Sequence, residues 1–212
     1  MVEKTEKRPP GRPREFNYTA ALDAAVDVFW EYGYEDADTT TLCDRMKITK
    51  PSLYNAFGAK EDLFLMALKR YNETVSSAHA EHLFKAASPL EGLREYFFSI
   101  ARSVSGRDRP PGCFFGCVAI PAAHKLPNVA KAVRKSTENG HNTIRAYFEG
   151  EKKKGALPAS FDTNAAVSVL QDLMIAMGIK GRMGASFKDL KHRASRNADL
   201  VLIAGQRKSL KL

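Results

Sequence analysis

Residues 39–64 read TTTLCDRMKITKPSLYNAFGAKEDLF, and this stretch decides the fold. Its spacing predicts a short helix that ends at Met46 and a second over residues 50–57, joined by a three-residue turn. A threonine at the first or second position of the stretch can cap the first helix, and Thr49 can cap the second, because a hydroxyl accepts hydrogen bonds from first-turn amides. Gly58 ends the second helix. Two short helices joined by a tight turn are the pattern of a helix-turn-helix.

An amphipathic helix precedes this pair and is predicted from about Tyr18 to Tyr32, where Gly33 ends it. Its apolar side chains repeat at helical spacing: Leu22, Ala25, Val26, Phe29 and Tyr32. Its acidic side chains fall on the opposite face: Asp23, Asp27 and Glu31. We therefore expect a supporting helix whose acidic face lies in solvent, away from any nucleic acid.

The rest of the chain also has helical spacing, and no alternating run of β-branched residues predicts a strand. A fourth helix is expected to begin near Lys60 and to continue to the region of Lys85. Counting the segments that follow gives an all-α fold of about nine helices. We expect a basic N-terminal arm at residues 1–14, a helix-turn-helix domain at residues 15–60 and a helical bundle at residues 61–212.

Composition and charge exclude several classes of protein. The chain has 44% hydrophobic and 27% charged residues, which is typical of a globular protein. No apolar stretch is long enough to span a membrane, and the N-terminus lacks the apolar segment of a signal peptide. Three cysteines are too few for a disulfide framework, so we expect a cytoplasmic protein. The net charge of +9 permits a nucleic-acid partner without establishing one.

The helix-turn-helix and its flanks resemble the tetracycline-repressor (TetR) family of bacterial transcription regulators. The strongest part is the run TKPSLY at residues 49–54, followed by Phe57 and by Lys60-Glu61. The resemblance covers about residues 12–66 and implies that the remaining helices form an effector-binding and dimerisation domain. It further implies a homodimeric repressor, not an enzyme, that binds a palindromic operator on double-stranded DNA. Release by an unidentified, largely apolar small molecule is expected, with no cofactor, no metal and no membrane partner.

The resemblance places the second helix of the pair in the major groove, with Leu53 and Phe57 facing inward. The candidate DNA-binding residues on and around it are Thr39, Thr40, Thr49, Lys50, Ser52, Tyr54, Asn55 and Lys60. Tyr54 and Lys60 match positions that hold phosphates, and Asn55 and Lys50 can reach base edges. Arg12 and Arg14, in a Pro-Gly-Arg-Pro-Arg segment, either enter an A·T-rich minor groove or belong to a solvated tail.

Three positions depart from the family pattern. Lys47 stands in the turn where glycine is usual, and a left-handed conformation there would cost about 1–2 kcal/mol. Ala59 stands where Ser or Asn normally caps the fourth helix, which costs about 0.5–2 kcal/mol unless Gly58 serves. Asn55 replaces a commoner histidine, which affects the base preference and not the prediction of DNA binding.

The resemblance implies an effector pocket inside the helical bundle and a dimer interface on the last two helices, and apolar side chains indicate the candidate residues. The pocket candidates are Phe64, Leu65, Phe97, Phe98, Phe114, Phe115, Met174 and Met177. The dimer candidates on the last two helices are Val167, Leu170, Leu190, Leu200 and Ile203. Each of the pocket candidates could instead be plain core. Three glycines, Gly178, Gly181 and Gly184, either allow close helix packing or terminate the eighth helix.

The residues leave open two alternatives to a ligand-responsive repressor. Cys113 and Cys117 lie four apart on one helix face and, with His124, could form a metal or thiol sensor or the centre of a thiol-dependent enzyme. More often such cysteines are small buried side chains, and no further zinc ligand is evident. The chain also lacks a Gly-rich phosphate loop, a nucleophile elbow and a His-Glu-x-x-His motif. A DNA-binding protein without an effector is the third possibility.

Overall fold

The computed structural model describes residues 16–206, and this part of the chain folds into nine helices without a strand. The all-α prediction and the predicted number of helices are therefore confirmed. None of the helices between residues 16 and 206 has the length and apolarity needed to cross a membrane.

The helices follow the predicted order, with ends that differ by a few residues. The uninterrupted helices are α1 Tyr18–Asp36, α2 Thr39–Met46, α3 Lys50–Phe57, α5 Pro89–Val104, α7 Pro127–Lys153, α8 Thr163–Arg182 and α9 Phe187–Gln206. Helix α4 consists of Lys60–Tyr71, a π-helical turn at Asn72–Ser76 and the segment Ser77–Lys85. Helix α6 consists of a π-helical turn at Phe115–Ala119 and a last turn at Ile120–Ala123. π-Helical turns occur often at functional sites, and both of these adjoin the cavity described below.

The first three helices pack on one apolar cluster. Leu53 and Phe57 are each 1% exposed, which confirms the predicted inward face of α3. Phe29 of α1 meets Phe64 of α4 edge to face, with 5.0 Å between ring centroids. The first helix is thus held between the helix-turn-helix pair and α4.

The ends of α1 and α2 follow local chemistry, with one correction. Gly33 interrupts α1 at φ 82° and ψ −179°, and one more turn follows it. The cap of α2 is neither Thr39 nor Thr40 but Asp38, whose Oδ1 accepts from the amides of Thr40 at 2.8 Å and Thr41 at 3.0 Å. Asp38, Thr39 and Thr40 are adjacent residues that can all cap a helix, and the helix begins directly after the first of them.

Lys47 and Ala59 behave as their sequence positions imply. Lys47 is left-handed at φ 54° and ψ 46°, a conformation that costs a non-glycine residue about 1–2 kcal/mol. Ala59 begins α4 without a side-chain cap, but the Asp62 carboxylate accepts from its backbone amide at 2.9 Å. Asp62 therefore supplies half of a capping box in the absence of Ser or Asn.

The second half of the chain is a bundle in which α8 packs closely against α5 and against the start of α6. Gly178 and Gly181 are buried, and a Cβ at either one would overlap Cys113 or the Val104 carbonyl, respectively. Gly184 has φ 88° with nothing near it, so it ends the helix. Gly178 and Gly181 therefore allow close helix packing, and Gly184 terminates the helix, so both predicted roles occur.

Candidate nucleic-acid interface and effector cavity

The outer face of α3 carries hydrogen-bonding side chains that the core does not use. Lys50, Tyr54 and Asn55 are exposed, Tyr54 to 49%. The Thr49 hydroxyl accepts from the Ser52 amide at 3.4 Å and lies 2.9 Å from the Ser52 hydroxyl. Because Leu53 and Phe57 anchor the opposite face in the core, the helix that carries the exposed donors is held in place.

The start of α2 presents two further hydroxyl groups. Thr39 is half-buried and Thr40 is exposed, and neither hydroxyl bonds to another residue in the described part of the chain. The two first-turn amides nearby are already occupied by Asp38. Hydrogen bonds from the Thr41 amide and hydroxyl hold the pKa of Asp38 below its usual range. The free threonine hydroxyls are thus available to an outside acceptor such as a phosphate oxygen.

Lys60 has a structural contact that sequence reasoning did not predict. Its Nζ donates to the Glu35 carbonyl at 3.0 Å and lies 4.9 Å from the centroid of the Tyr34 ring. Burial lowers the pKa of the Lys60 ammonium. Lys60 thus joins the start of α4 to the end of α1. Arg12 and Arg14 lie outside the described residues.

A cavity of about 640 Å³ opens in the bundle among α4, α5, α6, α7 and α8. Of the predicted lining residues, Phe115 and Met174 border it. The others are not part of its wall: Phe64, Leu65, Phe97, Phe98, Phe114 and Met177. Four of these pack in the solid core, and Phe98 contacts Phe187 with 5.7 Å between ring centroids. Apolarity alone does not tell which side of a helix faces a gap.

Most of the wall consists of residues that the sequence analysis did not single out. On α4, Asn72, Ser76 and His79 line the cavity together with Tyr71. The first three are spaced i, i+4, i+7, so polar residues occupy the inward face of an otherwise amphipathic helix. That interruption of the apolar stripe is the signal that could have located the cavity.

Three polar groups of the inner wall, Asn72, Tyr96 and His79, are paired with neutral partners. Asn72 Nδ2 donates to Ser136 Oγ at 2.9 Å, and Tyr96 OH donates to Met174 Sδ at 3.3 Å. His79 Nδ1 lies 2.8 Å from Ser99 Oγ, and burial lowers the pKa of His79 to about 4. At neutral pH the imidazole is therefore uncharged.

The mouth of the cavity lies between α4 and α7. Phe84 is 56% exposed and Ile120 is 39% exposed, and both border the opening. The other exposed members of the wall are Ser77, Glu81, Asn139 and Thr143. The Phe84 ring packs edge to face on Tyr147, with 5.5 Å between centroids. The cavity is thus open to solvent on this side.

A buried tryptophan connects the cavity wall to α1. Trp30 Nε1 donates to the Gly112 carbonyl at 3.1 Å, and Arg182 Nη2 donates to the Trp30 carbonyl at 2.8 Å. The Trp30 ring packs edge to face on Tyr71 with 5.1 Å between centroids. Tyr71 and Cys113 both line the cavity and contact each other, OH to Sγ, at 3.3 Å. We call this set of contacts the Trp30 junction.

The cysteines do not form a metal centre within residues 16–206, where no group of three potential ligands occurs. Cys113 is buried against Tyr71, and burial raises the pKa of its thiol. Cys117 is half-buried, and Cys43 lies in the core at 9% exposure. A protonated, hydrogen-bonded Cys113 is a wall residue and not an activated nucleophile.

The predicted dimer residues fall into two groups. Val167, Leu170 and Leu190 are at most 3% exposed, so they are core residues of the chain's own bundle, and Leu170 also lines the cavity. The prediction is wrong for these three because α8 and α9 bury them against α5 and each other. Leu200 and Ile203 are each 45% exposed. Two other exposed apolar residues lie near the end of α8: Ile179 at 47% and Met183 at 80%.

Comparisons with known proteins agree with this geometry. The sequence model for bacterial regulatory proteins of the tetR family matches residues 21–67. The repressor ComR of Escherichia coli (strain K12) is 31% identical over 188 residues, which are 87% of this chain and 88% of ComR. BdcR, a repressor of the same organism, is 35% identical over 191 residues, covering 90% of this chain and 91% of BdcR.

A solved structure is similar over nearly its whole length. It is a cysteine mutant of the TetR family transcriptional regulator CifR, complexed with double-strand operator DNA. The similarity has a TM-score of 0.80 and 27% sequence identity, and it covers 89% of this chain and 98% of CifR. The relatives are thus named as transcriptional regulators and not as enzymes. On this evidence the chain belongs to the TetR family of DNA-binding transcriptional regulators.

Proposed function

We propose that the protein is a homodimeric repressor that binds a palindromic operator through α3 and is released when a small molecule occupies the cavity. The exposed donors of α3, held in place by Leu53 and Phe57, carry this proposal. The names of ComR and BdcR as repressors, and the operator complex of CifR, support it.

On DNA, each polar group has a role that follows from its chemistry. Lys50 suits the acceptors of guanine, and Asn55 suits the paired donor and acceptor of adenine in the major groove. Tyr54, Lys60 and the hydroxyls of the α2 start suit phosphates, which position the helix without reading sequence. We also propose the arm at residues 1–14 as a minor-groove contact through Arg12 and Arg14. The helix-turn-helix domain then spans residues 15–60 and the effector and dimerisation domain residues 61–212.

Dimerisation would use the exposed apolar residues of α8 and α9. Ile179 and Met183 near the end of α8, with Leu200 and Ile203 on α9, expose large apolar side chains that a second copy can cover. A two-fold axis through this face pairs each residue with its symmetry mate. The two α3 helices must then lie about 34–36 Å apart to enter successive major grooves.

Release by a ligand requires a connection between the cavity and the DNA-binding face. The Trp30 junction supplies one, since Tyr71 and Cys113 border the cavity and also hold Trp30 of α1 directly or through Gly112. Helix α4 supplies another through the contact of Phe64 with Phe29. A ligand that fits better with a different position of α1 lowers DNA affinity by its differential binding to the two states.

A selection from a random pool of DNA duplexes tests the proposed function, with the wild-type chain and Asn55→Ala compared at one stated salt concentration. We expect the wild type to enrich a palindrome whose half-sites are about one helical turn apart. Asn55→Ala should enrich the same palindrome with one position relaxed in each half-site, at about 1–3 kcal/mol per position. A single unpaired half-site, or no enriched sequence, would contradict the proposal.

Trp30→Phe should separate DNA binding from ligand release. The ring packing on Tyr71 is kept, but the hydrogen bond to Gly112 is lost. Allosteric coupling between two sites typically changes an affinity about 5–150-fold. We expect Trp30→Phe to lose most of the ligand's effect on operator affinity, while its operator affinity without ligand stays within about threefold of the wild type.

The measurement is the anisotropy of labelled operator with and without N-phenyl-1-naphthylamine, an apolar probe. Tyr147→Phe is the matched control, because it removes one polar group from another buried aromatic residue away from the junction. Full ligand-induced release in Trp30→Phe would rule out the junction as the connection. If the wild-type protein binds the operator tightly and no added compound releases it from the DNA, a constitutive regulator would be favoured.

A further inference from the structure

We infer that the cavity binds an uncharged molecule with an apolar skeleton and at least one hydrogen-bonding group, and that it excludes organic anions and cations. This inference rests on the proposed function, because it identifies the chemical class of the effector. It concerns the cavity itself, so it can fail separately from release of the operator.

The wall offers no counter-ion to a charged ligand. Within residues 16–206 its lining includes no lysine and no arginine, and Glu81 is its one carboxylate. Glu81 lies in the exposed mouth, and its Oε2 already pairs with Lys85 Nζ at 2.6 Å. An ion inside the cavity would therefore lose its hydration without gaining a partner of opposite charge.

The titratable groups of the inner wall are neutral at physiological pH. Burial lowers the pKa of His79 to about 4 and raises the pKa of Cys113. Burial likewise raises the pKa values of Tyr71 and Tyr96 above the ordinary value for tyrosine. Each group is in its uncharged form because the surroundings are poor at solvating an ion.

Polar and apolar side chains occupy different sides of the cavity. The wall from α4 and α7 presents amide, hydroxyl and imidazole groups, such as Asn72, His79 and Ser136. The wall from α5 and α8 presents mainly aliphatic and thioether side chains, such as Ile100 and Met174. Neutral dipoles facing an apolar wall suit a molecule with a hydroxyl, carbonyl or amine on one edge.

Two dyes with one skeleton test the charge rule. N-Phenyl-1-naphthylamine is neutral, and 8-anilino-1-naphthalenesulfonate is the same molecule with an added sulfonate. Both are titrated into the wild-type protein by fluorescence, and N-(1-naphthyl)ethylenediamine, an ammonium, competes with them. We expect the neutral dye to bind at least about tenfold more tightly than either ion.

Matched glycine variants on α7 assign the binding to the cavity. A Cβ at Gly140 meets only Gln171 Nε2, at 3.5 Å, so the ring of Gly140→Phe has room to enter the cavity. A Cβ at Gly150 has nothing within 4 Å, and Gly150 is not part of the wall. Gly140→Phe should abolish binding of the neutral dye, and Gly150→Phe should leave it unchanged.

A charge placed in the wall should reverse the preference. Gln171 lines the cavity from α8, and Gln171→Lys would supply the missing cation. We expect the sulfonate dye to gain at least about tenfold in affinity relative to the neutral dye. An unchanged ratio in this folded variant would contradict the charge rule.

The outcomes separate the two proposals. Binding in the cavity is the binding that the Gly140→Phe variant abolishes. The inference is overturned if the wild-type cavity does not bind the neutral dye. It is also overturned if the cavity binds an ion as tightly as the neutral dye. If the neutral dye binds there but leaves the operator complex intact, the ligand class stands and release by occupancy of the cavity fails.

Discussion

A chain with aspartate in place of both Leu200 and Ile203 is expected to be monomeric and to bind its operator about 100-fold more weakly than the wild type, or worse. Both side chains are 45% exposed on α9 and belong to the face proposed for dimerisation. Two carboxylates per chain, each facing a symmetry mate, would have to lose their hydration in the dimer. A monomer brings a single α3 helix to the DNA, so binding at one half-site no longer strengthens binding at the other.

The measurement combines sedimentation velocity with operator anisotropy, and circular dichroism shows that the variant is folded. Ser195→Asp is the control, since it adds a carboxylate to another exposed position of α9. A dimer of unchanged operator affinity in the double variant would place the interface elsewhere on the molecule.

Gly181→Ala is expected to lower the free energy of unfolding by about 1–3 kcal/mol, although alanine is the better helix former. The added methyl group would overlap the backbone carbonyl of Val104 in α5, and neither helix can move without disturbing its neighbours. Because α8 also carries the proposed dimer residues, the variant should dimerise less well.

Gly150→Ala is the matched substitution in α7, where a Cβ meets nothing within 4 Å. It should raise the free energy of unfolding by up to about 1 kcal/mol through helix propensity alone. Urea denaturation followed by circular dichroism compares the two variants. Equal stability changes in both would show that α8 and α5 are not packed as closely as described.

The helix-turn-helix was predictable because its signals are local. Thr49 caps α3, Lys47 turns the chain through a left-handed conformation, and Leu53 with Phe57 define the inward face. Each of these choices depends on residues a few positions away, so a short stretch of sequence contains the information. The cap of α2 was assigned wrongly among adjacent candidates, since Asp38 and the threonines after it are all good caps.

The cavity was only partly predictable because it is a gap between five helices distant in sequence. Phe115 and Met174 line it, but Phe64 and Phe114, equally apolar, pack in the solid core. Periodicity identifies the buried face of a helix and not whether that face meets a neighbour or an empty volume. For the same reason Leu170 was expected at a dimer interface and lies in the wall of the cavity.

The sequence by itself determined the all-α class, the helix-turn-helix and the side chains that its outer face presents, because helix periodicity, caps and turn residues act over a few positions. The tertiary structure alone decided where the cavity lies, that its wall lacks a counter-ion, and that Trp30 joins α1 to Gly112, 82 positions away. These features arise from side chains that meet only when distant helices pack, and no local pattern specifies that meeting.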